Sequence, residues 1–194
     1  SVFNSIYNQG YDPIVVKEKK DFKKVDKLII PGVGSAFKAM ELLKKKEFYY
    51  CILDFYNSGK PILGICLGFQ IFANKLYEDG NSEGLRIIDG SIKPISKKKS
   101  FNIGWCKVEI EKNFSMKIGL NKISDFYFCH SYFLEFNSIE EKKFCLGHTS
   151  IDKKIPSIFV KNNFLGTQFH PEKSQQNGIK FLKFFLTWNP EIIT

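Results

Sequence analysis

The 194-residue sequence lacks the features of several large protein classes. No apolar run reaches the roughly 20 residues that a helix needs to cross a bilayer, and no secretory signal peptide is recognisable. Cysteine occurs five times, at scattered positions and without a C-x-x-C pair. This pattern argues against a disulfide framework and against a zinc site. We therefore predict a cytoplasmic protein of a reducing compartment, with no membrane contact, no metal and no cofactor.

Arginine is almost absent, since Arg86 is the single one among 29 basic residues. The net charge of +9 is therefore carried by lysine. Such a charge attracts nucleic acids or phosphorylated compounds, but sequence-specific readers of nucleic acid usually depend on the forked hydrogen bonds of arginine. We interpret the lysine runs, including the one at 97–99, as solvated surface, and we predict no nucleic-acid partner.

Apolar segments of strand length and of helical spacing follow one another along the chain. In the first 80 residues they predict helices and strands in the order helix 1–9, strands Pro13–Val16 and Lys27–Ile30, and helices Ala36–Lys45 and Glu47–Asn57. Short strands follow, with a hairpin turn at Asp89-Gly90 and a closing helix, Asn177–Trp188. The pattern predicts one α/β domain over residues 1–194, with a central, mostly parallel sheet flanked by helices and an antiparallel extension.

Such a doubly wound sheet should open with a strand, whereas this sequence opens with a helix and without methionine. We therefore expect a further strand upstream of Ser1.

One cysteine lies where a buried strand runs into a helix. The strand is predicted for Pro61–Ile65 and the helix for Leu67–Tyr77. Gly64 and Gly68 flank Cys66, as a sharp strand-to-helix turn requires. In this nucleophile elbow the sulfur would be exposed, and the helix N-terminus would favour its thiolate form. The amide N–H of Leu67 would point at a developing oxyanion. The alternative is a structural cysteine in a glycine-containing loop.

A cysteine nucleophile needs a base, and the sequence offers three histidines. His170 follows a predicted strand, and the i, i+2 spacing puts Glu172 on the same side of an extended segment. The carboxylate could then orient the imidazole and stabilise its charged form. A plain loop histidine is the alternative for His170, and we interpret His130 and His148 as strand residues rather than catalytic bases.

Three motifs together resemble the class I, triad-type glutamine amidotransferases, whose fold is flavodoxin-like. They are G-I-C-L-G-F-Q at 64–70, P-G-V-G at 31–34 and Q-F-H-P-E-K-S at 168–174. The similarity extends over essentially the whole chain, including Gly104-Trp105 and the segment 127–132. Within the family, the sequence is most similar to the glutaminase subunits of imidazole glycerol phosphate synthase.

The resemblance implies a role for each matching residue. Cys66 would attack L-glutamine and form a thioester, with His170 as base and then acid and Glu172 orienting it. The oxyanion hole would comprise the Leu67 N–H and a backbone amide of Val33 or Gly34. Residues that would hold the substrate are Gln70, Glu78 and the segment His130, Ser131 and Tyr132.

The resemblance also implies a heterodimer with a (β/α)8-barrel cyclase subunit, which would receive the ammonia through a channel and make imidazole glycerol phosphate and AICAR in histidine biosynthesis. Trp105, Tyr127 and a loop at 101–106 would lie at the interface, and the Pro31–Gly34 segment would switch activity. The 101–106 stretch reads F-N-I-G-W-C where the family usually has Pro-His-x-Gly-Trp-Asn. This difference leaves open a paralogous subunit that supplies a barrel enzyme of surface-polysaccharide sugar biosynthesis. Another cysteine hydrolase and a non-catalytic scaffold are the remaining alternatives.

Overall fold

The structure is a computed structural model that describes residues 1–95 and 101–190, so the predicted lysine run at 97–99 lies outside it. The helices are α1 (Val2–Tyr7), α2 (Ala36–Lys45), α3 (Phe48–Asn57), α4 (Leu67–Gln70), α5 (Lys112–Lys117), α6 (Ile139–Lys142) and α7 (Gln175–Thr187), with 3-10 turns at Lys19–Lys24 and Pro171–Lys173. The strands are β1 (Leu28–Gly32), β2 (Ile62–Cys66), β3 (Ala73–Leu76), β4 (Ser82–Glu83), β5 (Ile88–Pro94), β6 (Asn102–Ile110), β7 (Ile123–His130), β8 (Tyr132–Phe136), β9 (Cys145–Ser150), β10 (Lys154–Lys161) and β11 (Phe164–Thr167). Within the described ranges, no helix is both long and apolar enough to span a bilayer.

The main sheet has seven strands in the order β1-β2-β11-β10-β9-β6-β7. Its parallel part consists of β1, β2 and β11, and the other four strands continue it in antiparallel fashion. Strand β2 lies between two parallel neighbours and is buried throughout, as its continuous apolar run requires. A second sheet, β4-β3-β5-β8, packs beside the first. The predicted α/β fold with a parallel part and an antiparallel extension is confirmed, and the parallel strands form one end of the sheet.

Two apolar clusters cover the two faces of the main sheet. One joins α1, α5 and α7 to β2, where it includes Leu63 and Ile65. The other joins α2, α3 and the second sheet to the opposite face, where β2 contributes Ile62. The alternation along β2 assigns its side chains to the two layers in turn. The layers fix β2 and β11 between them, and both strands end at the site described below.

The helix predicted over Leu67–Tyr77 ends at Gln70, and Ala73–Leu76 forms strand β3 instead. Leu67, Ile71, Phe72 and Leu76 are all buried, so their spacing fitted a helix. The strand forms because β3 pairs with β4 on one edge and with β5 on the other. These pairings satisfy backbone groups that the helix would otherwise satisfy locally.

Three further local predictions were wrong. Asp89-Gly90 does not turn the chain but lies within β5, where Gly90 packs closely against Leu134 and the carbonyl oxygen of Glu135 on β8. Pro13–Val16 is not a strand, because it has no strand partner in the described residues. It lies instead along an apolar groove of about 610 Å³ beside β1. The 101–106 stretch is not a loop either, since all but Phe101 belongs to β6.

Candidate functional site

Cys66 lies at the sharp turn from β2 into α4, with the strained backbone angles φ 53° and ψ −108°. These angles are unusual for a residue other than glycine and typical of a nucleophile elbow. The flanking glycines are required by close packing. A Cβ atom on Gly64 would lie 2.6 Å from the Gly68 carbonyl oxygen, and one on Gly68 would lie 1.7 Å from that of Ile30. The predicted elbow is therefore present.

The expectation of an exposed thiolate was wrong, because the Cys66 side chain is 5% exposed. Burial, with smaller contributions from the nearby Cys129 and the Glu172 carboxylate, raises the pKa of the thiol to about 12. Hydrogen bonds from the Leu67 N–H and the Gln168 amide act in the opposite direction. Helix α4 has only four residues and does not offset the burial. The thiol is protonated at neutral pH and donates to the Cys129 carbonyl oxygen at 3.6 Å.

His170 and Glu172 form a buried pair at the start of a 3-10 turn. The distance from His170 Nδ1 to Glu172 Oε1 is 2.9 Å, and both side chains are less than 5% exposed. His170 Nε2 and Glu172 Oε2 have no hydrogen-bond partner among the described residues. The carboxylate thus holds one imidazole nitrogen and leaves the other available for proton transfer. The predicted pairing is present, although Pro171–Lys173 is a 3-10 turn rather than an extended segment.

Ser174 holds the main chain of His170, a contact that sequence reasoning missed. Its hydroxyl donates to the His170 carbonyl oxygen at 2.6 Å and accepts from the Tyr127 N–H at 3.0 Å. The His170 N–H in turn donates to the Tyr127 carbonyl oxygen at 2.9 Å. The histidine is therefore fixed to β7 through its backbone. Ser174 belongs to the Q-F-H-P-E-K-S motif, but no local sequence pattern predicted its hydrogen bond to the His170 carbonyl oxygen.

A pocket of about 380 Å³ opens in front of Cys66. Nine of the predicted site residues line it, with Ser35, Phe101, Ile103 and Cys129 completing the wall; the nine are Val33, Gly34, Cys66, Leu67, Gln70, Glu78, His130, Ser131 and Tyr132. His170 and Glu172 are not among the lining residues. They adjoin the site through β11, whose Thr167 pairs with Ile65, so that Gln168 comes to lie beside Cys66.

Glu78 and Gln70 both line the pocket, and they differ in which of their polar atoms are already hydrogen-bonded. Glu78 Oε2 accepts from the Ala36 N–H at 2.6 Å, at the start of α2. Partial burial raises the pKa of this carboxyl, while the hydrogen bond acts against the shift. Gln70 uses its amide nitrogen to donate to the Tyr132 carbonyl oxygen at 2.9 Å and to Gln168 Oε1 at 3.0 Å. A ligand can therefore engage Gln70 through its Oε1 oxygen.

Two backbone carbonyl groups of the segment His130–Tyr132 already accept hydrogen bonds within the protein. The Tyr132 carbonyl oxygen accepts from both Gln70 and His130, and the Ser131 carbonyl oxygen accepts from the Ile95 N–H.

In the described residues, no group of three or more His, Cys, Asp or Glu side chains is placed to hold a metal ion.

Trp105 and Tyr127 lie outside the pocket, on the exposed face of β6 and β7. Their rings meet edge to face at 6.2 Å. Lys173, next to the His170–Glu172 pair, lies 5.6 Å from the Tyr127 ring. Phe101, Ile103 and Val33 expose more than half of their surface around the pocket mouth. An apolar surface beside the site is thus formed by Val33, Phe101, Ile103, Trp105 and Tyr127.

His130 should make the protein less stable in mild acid. Burial lowers its pKa from 6.5 to about 4. Between these values the unfolded chain binds a proton that the folded chain does not, so the free energy of unfolding falls as pH decreases through this window. We expect a loss of up to about 3 kcal/mol. Urea denaturation at several pH values would measure it. The variant His130→Gln should lose this part of the pH dependence, and an identical dependence in both proteins would contradict the assignment.

Comparison with known proteins gives a consistent result. The family model described as glutamine amidotransferase class-I matches residues 1–188. An imidazole glycerol phosphate synthase subunit HisH from Caldanaerobacter subterraneus is 37% identical over 186 residues, which cover 95% of this chain and 90% of that protein. A subunit HisH 1 from Campylobacter jejuni is 37% identical over 189 residues, with 95% and 92% covered.

Solved structures support the fold. A glutamine amidotransferase crystal structure aligns with a TM-score of 0.73 at 16% identity and covers 95% of this chain and 90% of that one. Another glutamine amidotransferase, from Thermotoga maritima, aligns with a TM-score of 0.65 at 15% identity, with 100% and 79% covered.

Proposed function

Because the chain belongs to the class-I glutamine amidotransferase family, we propose that it is the glutaminase subunit of an imidazole glycerol phosphate synthase. It hydrolyses L-glutamine to glutamate and supplies the ammonia to a synthase subunit in histidine biosynthesis, in the cytoplasm. The relatives that carry this subunit name match 95% of the chain. The observation that carries the chemistry is the strained Cys66 at the base of a pocket that contains the predicted substrate residues.

Catalysis begins when the Cys66 sulfur attacks the side-chain amide carbon of glutamine. The carbonyl π electrons move to oxygen, and the resulting oxyanion is stabilised by the Leu67 N–H and by an amide of the Val33–Gly34 segment. Gly34 has a φ of 96° and open space around it, so the peptide there can reorient. Gly32 is less free, since a Cβ atom on it would lie 2.9 Å from the Leu67 Cβ. Any switch in the Pro31–Gly34 segment would therefore centre on Gly34.

The proton follows a defined course. The Cys66 thiol turns from the Cys129 carbonyl to His170 Nε2, whose unpartnered position among the described residues suits it as acceptor. The imidazolium then gives this proton to the departing nitrogen, and ammonia leaves a thioester on Cys66. A water molecule, deprotonated by His170, attacks the thioester carbon, the C–S bond breaks and glutamate is released. The imidazolium returns the proton to the Cys66 sulfur. Glu172 stabilises the imidazolium in both half-reactions.

Glu78 supplies the negative charge that the α-ammonium group of glutamine requires. No lysine or arginine competes for it among the described residues of the pocket wall, where His130 is the one basic side chain. Gln70 Oε1 adds an acceptor on the same wall. A carboxylate and a neutral acceptor in a small pocket favour an amino acid over a larger peptide.

The apolar surface of Val33, Phe101, Ile103, Trp105 and Tyr127 is the docking surface for the synthase subunit. Exposed aromatic and aliphatic groups of this kind are enriched in interface centres. Val33, Phe101 and Ile103 line the pocket, and Trp105 and Tyr127 lie beside it, so a docked partner would cover the exit from which ammonia leaves. The partner is a (β/α)8-barrel cyclase, as the family resemblance implies, and the complex is a heterodimer.

A second candidate is the paralogous subunit that supplies a surface-polysaccharide enzyme. Its support is the altered 101–106 stretch, which places exposed Phe101 and Ile103 at the pocket mouth. Co-expression with the barrel subunits of the same organism decides between the two. The proposal expects a stable complex with the histidine-pathway barrel and glutamine-dependent formation of imidazole glycerol phosphate. Complex formation with a sugar-modifying barrel alone would replace it with the second candidate.

Glu172→Gln should retain partial glutamine-dependent activity, about 10- to 100-fold below wild type, because orientation contributes less than the nucleophile does. A neutral amide can still hold His170 Nδ1 but stabilises the imidazolium less. The measurement is kcat of the complex with glutamine, with added ammonium as control. Lys180→Gln, an exposed residue of α7, is the control for folding. A wild-type rate in Glu172→Gln would mean that another group orients His170.

A further inference from the structure

Gln168 is fully buried two residues before His170 and lies against the sulfur of Cys66. Its Nε2 donates to Cys66 Sγ at 3.7 Å, its Oε1 accepts from Gln70 Nε2 at 3.0 Å, and its N–H donates to the Ser157 carbonyl oxygen at 3.1 Å. The side chain thus has one end on the sulfur and the other on the pocket wall. The reaction steps above give it no role.

The orientation of both glutamine amides follows from one backbone carbonyl. The Tyr132 carbonyl oxygen can only accept, so the Gln70 group facing it must be the NH2. The same NH2 also meets Gln168, which must present its oxygen there. The NH2 of Gln168 is then directed at the sulfur. A donor in this position stabilises negative charge that develops on the sulfur when the thiol loses its proton.

The same carbonyl orients the residues on its other side. It lies 2.7 Å from His130 Nδ1, which must therefore carry the hydrogen. His130 Nε2 is then an acceptor in the neutral ring, and Asn102 Nδ2 donates to it at 3.2 Å. Burial keeps the ring neutral because it lowers the pKa of His130 to about 4. The four side chains Asn102, His130, Gln70 and Gln168 are each less than 8% exposed. They form one buried hydrogen-bonded chain.

Asn102 lies at the outer end of this chain, on β6 between the exposed Phe101 and Ile103. Its Oδ1 accepts from the Cys106 thiol at 3.5 Å, so its amide orientation is also set. Any movement of β6 that shifts Asn102 alters the hydrogen bond to His130, and through the shared carbonyl it alters Gln70. The chain therefore connects the surface around the pocket mouth with the sulfur.

We propose that Gln168 is a positioning residue for the Cys66 sulfur and the inner end of a buried hydrogen-bonded chain whose outer end is Asn102. The description of Cys66 as nucleophile rests on the proposed function, but the contact between amide and sulfur does not. Gln168 holds the sulfur toward the pocket and favours its ionised form, and the chain makes this effect sensitive to the geometry of β6.

The test is the rate of Cys66 alkylation by iodoacetamide in the isolated chain, read at the Cys66 peptide by mass spectrometry over a range of alkaline pH. Gln168→Met keeps the length of the side chain and removes the donor. We expect alkylation about tenfold slower at each pH, which corresponds to one pKa unit. Thr167→Val is the matched control, because it removes a buried hydroxyl that donates to the Phe169 carbonyl and not to the sulfur. Its alkylation rate should stay within about twofold of wild type. Equal rates in wild type and Gln168→Met overturn the positioning role.

Asn102→Leu tests the outer end. We expect it to slow Cys66 alkylation, and the double variant with Gln168→Met should be no slower than Gln168→Met alone, because the two act through one chain. Additive slowing, or an unchanged rate in Asn102→Leu, overturns the chain; should Gln168→Met fail to fold, Asn102→Leu decides alone. A wild-type complex without glutamine turnover would overturn the proposed function and leave these alkylation rates as they are.

Discussion

Cys66→Ala is expected to abolish glutamine-dependent synthesis by the complex while leaving ammonia-dependent synthesis unchanged. Loss of the nucleophile should lower kcat with glutamine by about 10³-fold or more, since the thioester at the elbow can no longer form. Alanine fits because Cys66 is buried and its thiol makes weak hydrogen bonds of 3.6 and 3.7 Å. Added ammonium bypasses the glutaminase site and reaches the synthase subunit directly.

The measurement compares product formation with glutamine and with ammonium for the same preparation of the complex. Cys51→Ala, in α3 and outside the pocket, is the matched control and should retain both activities. Loss of both activities in Cys66→Ala alone would argue against ammonia transfer between subunits. Retention of the glutamine-dependent rate would remove Cys66 from the chemistry altogether.

Gly68→Ala should destabilise the whole domain. The added Cβ would lie 1.7 Å from the Ile30 carbonyl oxygen, a backbone atom of β1 that cannot move without breaking the parallel pairing with β2. Overpacking against fixed backbone costs about 3 kcal/mol, which for a domain of this size lowers Tm by roughly 10 °C. Differential scanning calorimetry would measure the change.

The matched control for Gly68→Ala is Gly147→Ala in β9. Its added Cβ would meet the side chain of Ile158, with the Cδ1 atom at 2.9 Å, and a side chain can turn aside where a backbone carbonyl cannot. The loss of stability should therefore be clearly smaller. Equal midpoints for Gly68→Ala and wild type would mean that α4 and β1 do not approach each other as closely as described.

The elbow could be predicted because its signals are local. Gly64, Cys66 and Gly68 occupy fixed offsets at the end of an apolar run, and the strained turn needs little else. The pair of His170 and Glu172 was predictable for the same reason, since two residues of separation suffice to bring the groups within 2.9 Å. The start of α2 at Ala36 was also predicted, and there the Ser35 side chain accepts a hydrogen bond from the Lys38 N–H.

The residue at which the helix after the elbow ends could not be predicted from the sequence. Ala73–Leu76 becomes a strand through pairing with β5, about 15 residues further along, and no local preference reports that partner. The burial of Cys66 could not be predicted from the sequence either. Glycines and a helix start suggested an exposed thiolate, whereas packing around Cys66 removes water from the sulfur and reverses the direction of its pKa shift.

The chain from Asn102 to Gln168 depends on contacts between residues far apart in sequence. Gln168 is 102 residues from Cys66 and 98 from Gln70. The F-N-I-G-W-C stretch indicated only that the surface differs from the family pattern. That its asparagine is buried and hydrogen-bonded to His130, while its neighbours face outward, becomes visible only when β6 and β7 are paired.

The hydrogen bond from the Cys66 thiol to the Cys129 carbonyl also bears on how the protein ages in the presence of peroxides. Peroxides oxidise thiolates to sulfenic and sulfinic acids and leave protonated thiols almost untouched. The idle protein holds Cys66 buried and protonated, while the side chain of Cys129 is exposed. Oxidation of Cys66 by peroxide is therefore expected mainly in the brief intervals in which His170 has taken its proton. Cys66 should thus be oxidised faster while the enzyme turns over its substrate than in the resting protein.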